Sequence, residues 1–268
     1  MVAWLASCTK LVEAFQEGKD VYCEFAYHIF DRVITPEHKL ERFIGKTAIL
    51  GLGYACGPVR FRHMLFIGSG GMSASVTLER AQEIVYLYRD TYPEIPALWT
   101  YTNRMLSEIQ RGPSHNRRVP ILYQHIPIVP DHQSFMLPNK LKICYPNLRY
   151  EEKEVNGMTS EQLVYDDPAT KSVRHIYGAK GVENISQALA RLVITDAALQ
   201  VYDATGFRPF LSTHDSLDYC VPVSEADGLY ALLGTAFSTP PPWAEGLPLA
   251  SQGGWGVNLR AAENGDNK

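Results

Sequence analysis

Hydrophobic spacing changes character along this chain of 268 residues, and that change restricts its folds more than any other feature. From about residue 3 to residue 110 apolar side chains recur at helical intervals, broken only by short loops. Residues 111–150 are rich in Pro, His, Asn and Arg and read as loops and short strands. Among them Leu141-Lys-Ile-Cys-Tyr145 alternates as a strand does. Helical spacing returns over 182–204 and stops at Gly206, which suits the C′ position. Two short β-like runs, 209–213 and 217–223, then flank His214-Asp215-Ser216 and predict a hairpin. A last helix is expected from a Ser224 cap to about Ser238, and the polar tail after Ala261 reads as frayed. The fold class that follows is α+β: helices first, then a small antiparallel sheet carrying a tight acidic turn.

Within the helical half, Thr35 followed by Pro36 predicts a helix start, with Thr35 as N-cap and Pro36 in the first turn. That helix should reach Tyr54, although Gly51 and Gly53 each weaken it by about 1 kcal/mol relative to alanine. Gly68-Ser-Gly-Gly71 breaks the pattern before a helix over 73–90, which ends ahead of Pro93. Hydrophobic residues make up 46% and charged residues 20%, so the chain can bury a core and is not disordered. No run approaches the ~18 apolar residues of a membrane helix. The apolar opening has no basic segment before it, which argues against a secretory leader. Five scattered cysteines without a CxxC pair argue for a reducing, cytoplasmic setting and against a disulfide framework or zinc knuckle. With a net charge of −4, any nucleic-acid site must be built from a local basic face.

Three constellations could carry chemistry. Arg42, Lys46, Leu50 and Tyr54 follow one another at intervals of four, so on a helix they form one stripe. The stripe is about 18 Å long, of the order of an extended nucleoside triphosphate. Its cations could meet phosphates and its Leu/Tyr end a sugar and base; the alternative is a surface helix that packs Leu50 and Tyr54 into a core. Asp215, with His214, Ser216 and Asp218, sits at a tight turn where a carboxylate can be rigid and exposed, as a magnesium ligand requires, although Asp and Ser are also ordinary turn formers. Asn184, Gln187 and Arg191, at i, i+3 and i+7, share a helix face that could line a nucleic-acid groove or be simply solvated. Two decoys fail. Gly45-Lys46-Thr47 lacks the P-loop's earlier glycine, Leu40 standing there, and Gly51-x-Gly53-x-x-Cys56-Gly57 has one residue too many for a dinucleotide fingerprint. His115, His125 and His132 have no ligand-like spacing.

In this order the residues resemble family A DNA polymerases, especially those of bacteriophages. Arg42-x3-Lys46-x3-Leu50-Gly51-x2-Tyr54 resembles motif B, the fingers helix that binds the incoming nucleotide. Tyr177-Gly-Ala-Lys180-Gly-Val-Glu183-Asn184-Ile-Ser-Gln187-Ala-Leu-Ala-Arg191 is similar to the following helix, which contacts template and primer. His214-Asp215 looks like motif C of the palm. Fainter echoes are Asp20-Val-Tyr22, the stretch from Tyr88 to Trp99, and Pro242-Trp243-Ala-Glu-Gly246-Leu-Pro248. The likeness is collinear over nearly the whole chain, and it favours the functional alternative at all three constellations.

The resemblance implies template-directed DNA synthesis, with nucleotidyl transfer from a dNTP to a primer 3′-hydroxyl. It also implies a division into a palm-to-fingers segment (1–35), fingers (36–135) and the C-terminal part of the palm (136–268). Arg42 and Lys46 would neutralise the triphosphate, with Lys46 a candidate proton donor; Leu50 and Tyr54 would complete the nucleotide site. Asn184, Gln187, Arg191 and His214 would touch primer-template DNA. Asp215 would be one of two carboxylates bridging a Mg²⁺ pair. The other would belong to motif A, expected about eight residues before Met1, so that an N-terminal partner fragment carrying thumb and motif A is implied and the chain alone is not expected to extend a primer. Trp4 and Leu5 are expected near uncovered apolar surface. The different-class alternative is a non-catalytic nucleic-acid-binding remnant or a subunit of a split polymerase. Three positions depart from the family pattern: Leu50 for an aromatic residue, Ala55 for a glycine, and Ser216 for a glutamate.

Overall fold

In a computed structural model the described residues are 1–112, 128–155, 158–259 and 262; His115 and His125 lie outside them. The chain divides into two compact units, residues 1–186 and 187–268. The first unit opens with seven helices: α1 (Val2–Leu5), α2 (Thr9–Gln16), α3 (Val21–Phe30), α4 (Lys39–Leu52), α5 (Pro58–Ile67), α6 (Leu78–Thr91) and α7 (Glu94–Arg111). Two small antiparallel sheets follow, β1 (Val129–Asp131), β2 (Ser134–Met136) and β3 (Lys142–Cys144), then β4 (Arg149–Val155), β5 (Met158–Asp167) and β6 (Ser172–His175). Helix α8 (Gly178–Thr205) starts in the first unit and runs into the second.

The α+β order read from the sequence is the order found. The helix around Pro36 begins later than its Thr-Pro signal suggests, at Lys39. The imidazole explains this: His38 Nδ1 accepts the Thr35 amide (3.1 Å) while the His38 amide donates to the Thr35 carbonyl (2.9 Å), closing a turn ahead of the helix. Helix α5, within the region expected to be helical, opens on Pro58 at its first turn and ends at the Gly68 break. Trp4 and Leu5 are buried and do not form an uncovered patch.

The core of the first unit is aromatic at its centre. Phe25 and Tyr88 meet edge to face at 5.5 Å, and Tyr88 and Tyr92 at 5.2 Å, geometry worth about 0.5–1.5 kcal/mol per pair beyond area burial. Phe61, Leu65, Ala81, Val85 and Leu106 have no exposed surface. Helices α3 and α4 approach so closely that a Cβ at Gly45 would lie 2.2 Å from the Tyr22 carbonyl oxygen.

The second unit holds the rest of α8, the hairpin β7 (Leu211–Thr213) and β8 (Ser216–Asp218), helix α9 (Val223–Ser238) and a 3₁₀ turn at Pro242–Ala244. Ala197, Val201, Leu229 and Ala236 form its core, with Phe207, Tyr219 and Phe237 packed against it. Helix α9 starts at Val223 behind Pro222, so the expected Ser224 cap is instead inside the helix. Two indole N–H groups pin the C-terminal segment: Trp243 Nε1 donates to Asp196 Oδ2 and Trp255 Nε1 to Asp227 Oδ1, both at 2.9 Å. No described helix is long and apolar enough to cross a membrane.

Candidate functional site

Helix α4 has two faces. Phe43, Ile44, Ala48 and Leu52 are buried, which turns Arg42, Lys46 and Leu50 toward solvent. Leu50 is 54% exposed, so it is not a core residue. The two cations are gathered by residues from α3. The Arg42 guanidinium lies over the Tyr22 ring at 5.3 Å and the Lys46 ammonium at 5.9 Å, within cation–π range. Arg42 Nε also donates to Asp20 Oδ2 at 2.6 Å. Asp20 is the N-cap of α3, and its Oδ1 accepts the amides of Tyr22 and Cys23, each at 3.1 Å. Burial works against this carboxylate, but the Arg42 guanidinium and the Cys23 amide outweigh it and hold its pKa below the ordinary aspartate value.

The end of α4 is tied down at two points. Trp99 Nε1 donates to the Gly53 carbonyl (2.9 Å), and the Tyr54 hydroxyl meets Ser186 Oγ (3.2 Å). Ser186 itself donates to the Glu183 carbonyl (3.0 Å), which makes Tyr54 the donor in its pair. Tyr54 lies just past the helix and is half-buried. Ala55 follows it with φ +57, a left-handed conformation that a side chain rarely adopts. Asn184, on α8 in this unit, spends its amide on the Tyr145 hydroxyl (3.1 Å). Burial pushes that phenol up to about 12.

The remaining expected residues belong to residues 187–268. Gln187 and Arg191 are exposed on α8, and Arg191 Nη1 donates to Ser212 Oγ of β7 at 3.0 Å. His214 and Asp215 form a two-residue turn between paired Thr213 and Ser216; His214 takes φ +51, and both side chains are exposed. Among the described residues no three His, Cys, Asp or Glu side chains converge. A two-ion Mg²⁺ site takes more oxygen donors than one turn carboxylate. The described donor set therefore does not by itself fit the ion pair that the resemblance implies.

Asp20, Tyr22 and Trp99 stand in the fainter echoes and Ser186 within the α8 motif, but no site role follows for any of them from the sequence. Asp20 carried a local signal, since an aspartate directly before a helical run reads as an N-cap. Its bond to Arg42, 22 positions away, exists only in the packed structure.

Helices followed by small antiparallel sheets and a turn-bearing hairpin define the class, an α+β arrangement consistent with a fingers and partial-palm fold. No family model and no curated protein matches the chain. Among solved structures it is similar to the POL domain of Pol1 from M. smegmatis in complex with DNA primer-template and dNTP, with a TM-score of 0.63 and 18% identity over 98% of this chain. The chain spans 38% of the length of that protein. At this identity the likeness is one of fold.

Proposed function

We propose that the chain takes part in template-directed DNA synthesis as the fingers and C-terminal palm of a family A polymerase. The supporting observation is the pair of cations on the solvent face of α4, within a fold shared with a polymerase domain that was solved with primer-template and dNTP. The parts read from the resemblance, 1–35, 36–135 and 136–268, are proposed on the same ground.

In the proposed reaction the primer 3′-hydroxyl gives up its proton to water and its oxygen attacks the α-phosphorus of a dNTP, the bond from that phosphorus to the α–β bridging oxygen breaks, and pyrophosphate leaves. Arg42 and Lys46 bind the triphosphate and oppose the charge that gathers on the leaving group. Lys46 holds the proton that pyrophosphate takes. Leu50 and Tyr54 bound the sugar and base, while Asn184, Gln187, Arg191 and His214 meet the DNA. Asp215 would stand at the primer end and would be one carboxylate of a Mg²⁺ site that the described residues alone do not complete. Thumb and motif A, carried on a partner fragment or on the same polypeptide, complete the proposed site, and the cytoplasm is the proposed location.

The test is single-turnover incorporation beside a DNA-binding titration at fixed salt, since phosphate contacts are strongly salt-dependent. Both are run on the chain with and without a thumb and motif A fragment. Lys46→Ala and Arg42→Ala are expected to slow incorporation by ~10²–10³ with little change in duplex affinity. Asp215→Asn is expected to abolish incorporation and leave duplex affinity within a few-fold. Duplex binding without incorporation in either setting would assign the chain to the alternative class, a nucleic-acid-binding module. Incorporation by Asp215→Asn at the parent rate would remove Asp215 from the reaction.

A further inference from the structure

The cations of α4 do not stand alone, and what holds them is on another helix. Asp20 divides its two carboxylate oxygens between two tasks: Oδ1 caps α3 through the Tyr22 and Cys23 amides, and Oδ2 takes the Nε of Arg42 at 2.6 Å. Because the cap fixes the carboxylate, the carboxylate in turn fixes the guanidinium plane. The bond runs through Nε, and the Arg42 side chain keeps 35% of its surface exposed. Two residues further on, the Tyr22 ring receives both Arg42 and Lys46 on its face. A free arginine or lysine has about 2 kcal/mol of rotamer entropy to lose on binding a ligand. Side chains already held by a carboxylate and a ring have lost part of it beforehand.

We propose that Asp20 and Tyr22 are positioning residues for triphosphate binding: together they hold the Arg42 guanidinium and the Lys46 ammonium in one orientation, ready for the phosphate chain of a nucleotide. This rests on the reading of Arg42 and Lys46 as triphosphate ligands. The competing effect has the opposite sign. Asp20 also places a negative charge beside Arg42, and if charge neutralisation dominated, removing it would tighten anion binding. The geometry favours orientation, because an Nε-bound carboxylate restrains the guanidinium while leaving its other edge for an oxyanion, and the exposed pair is screened by solvent.

The test is a binding titration of the full chain with dGTP, and separately with inorganic tripolyphosphate, at fixed low salt. Asp20→Asn keeps a good helix cap and loses the charged acceptor. It is expected to weaken both ligands about three- to five-fold while the melting temperature falls by no more than about 2–4 °C. Tyr22→Leu is expected to weaken them several-fold, and Tyr22→Phe, which keeps the ring, to restore most of that loss. Arg42→Lys keeps the charge and cannot offer Nε; it should bind nearly as poorly as Arg42→Ala, and it serves if Asp20→Asn does not fold. Adding Asp20→Asn to Arg42→Ala should cost nothing more, since the two act as a unit. Unchanged or tighter binding by Asp20→Asn, with Arg42→Ala and Lys46→Ala still weak, overturns the proposal and leaves the reading of the cations standing. If Arg42→Ala and Lys46→Ala themselves bind both ligands like the parent, the reading fails and the proposal with it.

Discussion

At the scale of single residues, backbone geometry and thiol burial give the clearest expectations. Ala55 holds φ +57 where the polymerase resemblance has a glycine. A Cβ in that region costs about 1–2 kcal/mol, and glycine costs about 0.5–1 kcal/mol through extra freedom of the unfolded chain. Ala55→Gly is therefore expected to stabilise by up to about 1 kcal/mol, visible as a rise in melting temperature of about 2–4 °C. The cysteines divide by environment. Cys8, Cys23 and Cys56 are buried, and burial pushes all three thiols up, Cys8 to about 11. Cys144 and Cys220 are exposed. Alkylation of the native protein near neutral pH should modify Cys144 and Cys220 quickly, with the other three following only on unfolding. Fast labelling of Cys8 in the native state would contradict the packing described.

Helix α4 concentrates the expectations at the scale of elements. Trp99→Phe keeps most of the ring and strands the Gly53 carbonyl, which should cost about 1–3 kcal/mol in a urea titration. Gly45→Ala drives a methyl group into the Tyr22 carbonyl, backbone that cannot swing aside, and overpacking of this kind costs about 1–3 kcal/mol. The same elements show why some of the fold could be read in advance. The helix ending at Gly206 was legible because its buried positions repeat at helical spacing and its stop is a glycine with φ +75. The β7–β8 hairpin was legible because two short runs flank a polar turn. The β4–β5–β6 sheet was not, because Glu151, Glu152, Lys153 and Glu154 on β4 and Thr159, Ser160 and Glu161 on β5 are all exposed, so no apolar alternation marks them. The candidate cations were likewise visible by their spacing, whereas their supports on α3 were joined to them only by tertiary contact.

The whole molecule carries several carboxylates whose pKa lies below the ordinary aspartate value. In Asp20 burial is outweighed by Arg42 and the Cys23 amide; hydrogen bonds lower Asp131 (from Lys142), Asp166 (from Asn147, then Arg149) and Asp167 (from Thr170). A carboxyl depressed on folding contributes stability that is complete above its unfolded pKa, about 3.9, and is lost as pH falls through its folded value. The urea midpoint should therefore drop as pH is taken from about 5 to 3, and Asp20→Asn should make that drop shallower. One contact also bears on how α3 and α4 behave as a pair. With the Gly45 backbone lying against the Tyr22 carbonyl, α3 and α4 have no clearance to slide past one another. Tight packing of this kind couples the two helices, so under the proposed function a tilt of α4 on nucleotide binding would carry Asp20 and Tyr22 along with the cations. Spin labels at His28 on α3 and Leu40 on α4 should then keep one separation with and without triphosphate.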